Sequence, residues 1–220
     1  MIRRWNNLLE YLGATQSDSG GEWLSKITQA YDAPGRWYHN FHHVEACLRE
    51  LDENGIDLDK GTRTLIEAAI WFHDVIYDPK SAENEMASAV FAREVLTRLG
   101  VAKESLAAIE RLILVTDHRR DVREADEQWI CDIDLATLGQ SKAAYEAYAL
   151  GIRSEYSFVE ETLYRRERAK ILTAFLNRPK IYATTPFREK YETTARENLW
   201  MELSRLNPSI EGRENQFGHQ

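Results

Sequence analysis

The chain has 220 residues, 43% of them hydrophobic and 29% charged, with six tryptophans and ten tyrosines; such usage fills a core and excludes the disordered class. Its formal net charge of −8 argues against extended contact with a nucleic-acid backbone. A small phosphorylated ligand stays open, because a bound cation reverses the local field.

Two cysteines, Cys47 and Cys131, lie in apolar stretches and outside any CxxC pair. They read as buried free thiols in a reducing compartment. Residues 1–20 carry Arg3 and Arg4 but no apolar run of signal-peptide length. No stretch approaches the ~18 uncharged apolar residues of a membrane span. The cytoplasm is the expected location, with no membrane partner.

Along the chain, strand signals are nearly absent and helical periodicity is nearly continuous. Residues 40–53 set Phe41, Val44, Cys47, Leu48 and Leu51 on one stripe, closed by Asn54-Gly55. Residues 63–77 are apolar almost all round, which places that helix at the centre of a bundle. Helices are expected over 82–99, with Gly100 as a stop, and over 103–117. Residues 118–128 (HRRDVREADEQ) read as a charged surface loop. The apolar piece WICDIDLATLG that follows is too short to assign by periodicity. Helices resume at 141–157, 159–177 and 187–206. Arg165, Arg166, Arg168 and Lys170 read as a solvated helix face. Pro34, Pro79, Pro179, Pro186 and Pro208 all fall outside the strongly periodic segments. The expected architecture is all-α, a single helical bundle over 1–206 with a polar C-terminal tail at 207–220. Trp5, Trp23 and Trp200 could serve core or interface, which leaves a homodimer open.

Three places interrupt this apolar patterning with ionisable groups. His73-Asp74 sits inside the most apolar helix, where a carboxylate must be paired, hydrogen-bonded or metal-bound. Tyr38-His39-Asn40-Phe41-His42-His43 packs three of the six histidines into five positions. His43 borders the apolar stripe and should point inward; His42 should not. His39 would share the face of His43 if the helix starts that early. In Cys131-Asp132-Ile133-Asp134, either carboxylate could face inward or cap the next helix. Two imidazoles and two carboxylates make a mixed N/O set suited to one divalent ion: Mn, Mg, Fe, Co, Ni or Zn.

The order His43, then His73-Asp74, then Asp134 resembles the HD superfamily of metal-dependent phosphohydrolases. The resemblance is closer to one uncharacterised bacterial group of that superfamily, the predicted metal-dependent HD phosphohydrolases. The resemblance is carried by RWYHNFHH at 36–43, AAIWFHDVIYD at 68–78, NEMASA at 84–89, Thr116-Asp117-His118, CDIDLATLG at 131–139 and GIRSEY at 151–156. It spans roughly residues 23–203.

The resemblance implies an HD-type helical bundle with His43, His73, Asp74 and Asp134 as metal ligands and Asp132 as the rival to Asp134. It further implies a hydrolase that cleaves a phosphoester or phosphoanhydride of a small phosphorylated molecule, such as a nucleotide, with water activated by the cation. Asp78, Glu85 and His118 are the candidates for handling protons. Tyr77 stands where related guanosine-tetraphosphate hydrolases carry a second acid. Arg36 is the first candidate for phosphate contact, with His39, Asn40 and Arg153 as further substrate-binding residues and Arg168 a weaker one. Three competing readings are a regulatory domain that holds metal and ligand without catalysis, a di-iron oxygenase on the same scaffold, and a scaffold with incidental histidines. The oxygenase would need further histidines where the chain offers only His118 and His219.

Overall fold

The computed structural model describes residues 1–15, 20–119 and 122–206. The described chain is all-α, with ten α-helices and no strand. By its internal contacts it divides into two compact units, Met1–Asp134 and Leu135–Gln220. The expected span 1–206 thus comprises both units, and the tail expected at 207–220 lies outside the described residues.

The first unit holds α1 (Ile2–Tyr11), α2 (Gly20–Tyr31), α3 (Phe41–Asn54), α4 (Lys60–Phe72), α5 (Asn84–Arg98), α6 (Lys103–Val115) and α7 (Ala125–Asp134). At its centre is α4, as the sequence pattern requires. Ile66, Ala68, Ala69, Ile70, Trp71 and Phe72 are buried, and the helix contacts α1, α3, α5, α6 and α7. Side-chain caps start two of these helices. Asn40 accepts from the His42 N–H at the head of α3, and Asp59 accepts from the Thr62 N–H at the head of α4. Gly100 ends α5 at φ +81°. The Val101 N–H then donates to the Leu96 carbonyl, a Schellman closure.

Three boundaries differ from expectation, each for a physical reason. Helices α1 and α2 precede the first periodic segment recognised in the sequence. Trp5, Leu8 and Leu9 form the buried face of α1, and Arg4 bridges Asp52 and Glu67. The helix expected over 63–77 stops at Phe72. The Asp74 N–H turns to the Tyr31 hydroxyl and the Ile76 N–H to the Ser88 hydroxyl, instead of the Ile70 and Phe72 carbonyls of a continuing helix, and beyond the break neither Pro79 nor Asp78 gives an N–H to the Val75 and Asp74 carbonyls. Arg36 donates to both orphaned carbonyls, at 2.6 Å to Asp74 and 2.8 Å to Val75. The surface loop expected over 118–128 ends early, because α7 begins at Ala125. Glu127 accepts from the Arg123 and Glu124 N–H groups, and acidic residues in a first turn complement the helix dipole. Residues 120 and 121 of that expected loop lie outside the described chain.

The second unit holds a 3₁₀ helix at Leu135–Gly139, then α8 (Lys142–Glu155), α9 (Glu161–Leu176) and α10 (Thr185–Leu206). Pro186 stands in the first turn of α10, where its missing N–H costs no helical hydrogen bond. Asn198 on α10 donates to the Leu138 and Gln140 carbonyls. Gly139 is required here, since a Cβ would come within 2.4 Å of the Tyr191 side chain. Arg168 departs from the solvated face expected of it. It is only 7% exposed and donates to Glu202 through Nε at 2.8 Å and Nη2 at 3.0 Å. Tyr145 donates to the same carboxylate.

Candidate metal centre

The candidate site lies wholly within the first unit. The Asn40 cap fixes the start of α3, so His43 falls on its first turn, facing the core. Cys47 follows one turn later on the same face. His73 and Asp74 sit where α4 has just ended. This matters, because successive residues inside a helix point about 100° apart. Off the helix end, the two side chains turn toward each other, with His73 Nε2 3.1 Å from Asp74 Oδ2. Asp134 is the last residue of α7.

These segments, far apart in sequence, converge. The Nε2 atoms of His43 and His73 are 3.1 Å apart. Asp134 Oδ1 lies 3.0 Å from His43 Nε2 and 3.5 Å from His73 Nε2. Asp74 Oδ2 lies 3.7 Å from His43 Nε2. Donors sharing one ion at ordinary N and O ligand lengths stand about 3.0 to 3.4 Å apart, for right-angled or tetrahedral arrangements. The observed separations fit that requirement. His43, Cys47, His73 and Asp134 offer donor atoms that all lie within 4.8 Å of one another and could hold a metal ion. Asp74 stands outside that foursome but approaches both imidazoles.

The hydrogen bonding aims lone pairs inward. His73 Nδ1 is 2.9 Å from the Ile70 carbonyl. A carbonyl can only accept, so Nδ1 carries the proton and the Nε2 lone pair of the neutral ring faces the cluster. The electrostatics show the two carboxylates favouring positive charge at this cluster. Burial alone would lower the pKa of His73, but Asp74 and Asp134 outweigh it and raise it well above the usual imidazole value. Burial would raise Asp134, yet hydrogen bonds to His118, His43 and His73 hold it well below the carboxylate range. Asp74 is likewise lowered against burial, by His73 and then His39. Burial, with Asp134 and Asp74, pushes the Cys47 thiol up.

His118 meets the far side of the same carboxylate, with Nε2 2.7 Å from Asp134 Oδ2. It adopts φ +53°, a conformation uncommon for any residue with a side chain. Asp132 is buried at 2% exposure, and Asp134 is the one of the pair that joins the histidines. His42 is exposed beside Glu45, as expected. His39 precedes α3 and so does not share its helical face with His43. Its ring stacks on Tyr77, with centroids 4.2 Å apart. Asn40 is occupied as a cap. Arg36 donates to the carbonyls of His39, Asp74 and Val75, which clamps the segment leading into His43 to the one that carries Asp74. Asp78 is exposed and accepts from the Lys80 N–H, while Glu85 is half-buried in the first turn of α5. Arg153 belongs to the second unit, where it donates to the Tyr156 and Val159 carbonyls and pairs with Glu161.

Two residues of the site escaped sequence reasoning. Tyr31, fully buried on α2, accepts from the Asp74 N–H and donates to the Trp71 carbonyl, both at 3.3 Å. Nothing local in the sequence signals that. Cys47 did carry a signal: it lies four residues after His43 on the same stripe. Comparison with protein-family models, curated proteins and solved structures finds no match to this chain.

Proposed function

We propose that the chain is a metal-dependent phosphohydrolase, cleaving a phosphoester or phosphoanhydride of a small phosphorylated molecule such as a nucleotide. His43, His73, Asp74 and Asp134 would hold one divalent ion. The observation that carries this reading is the convergence of these four side chains from three separate segments, with an imidazole lone pair aimed inward. Such an ion supplies the acidity that makes water nucleophilic near neutral pH and neutralises charge developing on a phosphoryl oxygen.

The chain's own residues divide the remaining work. Ile70 and Tyr31 orient the His73-Asp74 pair. His118 holds a proton between its Nε2 and Asp134 Oδ2, fixing which carboxylate oxygen faces the imidazoles. Glu85 and His118 are the groups to exchange protons with substrate and water, since the Asp78 carboxylate is engaged by its own turn.

The test is elemental analysis of the purified protein followed by a panel of nucleotides and simple phosphoesters. One divalent ion per chain is expected, with turnover of at least one substrate. His73→Ala and Asp74→Ala should each lower that turnover by on the order of a thousandfold, corresponding to several kcal/mol of transition-state stabilisation. Turnover that survives both substitutions and chelation would defeat the proposal.

A further inference from the structure

We propose that Arg119 binds the phosphoryl oxygens of the substrate, from the solvent side of the ion. This rests on the metal-centre reading above and deepens it. The cluster is closed on one side and open on the other. The His43 and His73 side chains are 3% and 2% exposed, whereas those of Asp74, Asp134 and His118 are 13%, 16% and 18% exposed. An incoming substrate therefore meets the two carboxylates and His118 first. Asp74 stands on the loop at 73–83 that follows α4, and His118 on the loop at 116–119 that follows α6.

Arg119 joins those two loops. It directly follows His118, whose Nε2 is 2.7 Å from Asp134 Oδ2. Its backbone N–H donates to Asp117 Oδ1 at 2.9 Å, and its Nη2 reaches across to the Ala82 carbonyl at 3.3 Å. The residue is exposed, and among the described residues no carboxylate pairs with it. An arginine carries five N–H donors in a planar fork that matches phosphate oxygens. The Ala82 bond occupies one of them and leaves the others for a ligand. Arg36, by contrast, has its N–H groups on three carbonyls. Charge points the same way. A divalent ion and the carboxylates of Asp74 and Asp134 sum to zero, so a phosphate anion at that ion calls for a further cation, and Arg119 supplies it beside His118.

The experiment loads the chelator-stripped full chain with Co²⁺, adds inorganic phosphate and follows the visible d–d bands. Cobalt should bind the wild type and Arg119→Ala with affinities within about twofold, as expected for an exposed position. Phosphate should shift the wild-type bands saturably. Arg119→Ala should need roughly tenfold or more phosphate for the same shift. Arg119→Lys should fall between, because an ammonium keeps the charge and loses the fork. Arg166→Ala, which removes an exposed arginine of the second unit, should match the wild type. Equal phosphate affinity in Arg119→Ala overturns the proposal and leaves the metal centre standing; so do wild-type bands that ignore phosphate. Weakened cobalt binding in Arg119→Ala overturns it too, by showing that the arginine acts on the ligands instead. Absence of d–d bands in the wild type removes the metal centre and the proposal together.

Discussion

In the second unit, Arg168 meets Glu202 through two parallel hydrogen bonds, and Tyr145 donates to the same carboxylate. In the first unit, Asp74 and Asp134 are also largely buried, but their ion-pair partners among the described residues are histidines. The former cluster matches a full cation to a full anion and supplies a donor for each carboxylate oxygen. The latter gathers acceptors: two carboxylates, and two imidazole nitrogens that face each other. Burying charge is expensive in either case. The difference between the two clusters is therefore the partner, a permanent cation in one and titratable imidazoles in the other, and not the burial.

The largest effect that would test this contrast lies in the second unit. Arg168→Ala or Glu202→Ala should destabilise the protein by about 3–5 kcal/mol in urea unfolding, because each strands a buried charge, whereas joint replacement by Met and Leu should come close to wild type. Single variants costing under about 1 kcal/mol would show that this pair is hydrated and the contrast false. Next in size, His118→Ala should weaken Co²⁺ or Zn²⁺ binding roughly 10–100-fold through loss of its hold on Asp134. His118→Gln should recover part of that, since its amide can still donate to Oδ2. Unchanged affinity in His118→Ala would remove the positioning role.

The smallest effect is in pH. His73 is raised in the folded state, so in chelator-treated protein its stabilisation is complete below its unfolded value of about 6.5 and is lost as pH rises through the folded value. Asp74 and Asp134 are lowered, so theirs is present above about 3.9 and fades as pH falls. The melting temperature of metal-free protein should therefore decline on the alkaline side of about pH 6.5. With a divalent ion bound, that decline should disappear, because the ion takes the place of the proton on Nε2. A flat alkaline profile without metal would contradict the assigned geometry.

The pattern of apolar residues revealed the all-α class, the central placement of α4 and the inward aim of His43. These are helical-period properties, and a single segment suffices to show them. The convergence of Asp134 with His43 is a tertiary fact, reached in the sequence through the order of motifs. Periodicity misled at the end of α4, where Val75 and Ile76 continue the apolar run although the Tyr31 and Ser88 hydroxyls take the Asp74 and Ile76 N–H groups that would have extended it. A cation beside histidines suggests phosphate, and in the structure the Arg36 guanidinium donates to the carbonyls of His39, Asp74 and Val75. Tyr31 was invisible because its partners lie about forty residues away.

The Arg36 clamp also bears on kinetics. By bonding the carbonyls of His39, Asp74 and Val75, it ties the segment that leads into His43 to the segment that carries Asp74, through contacts that need no ion. The spacing of these side chains is then settled during folding, so the proposed ion would find them preorganised. Uptake should be limited by how fast the ion sheds its own hydration, and loss of the ion should leave the surrounding helices in place.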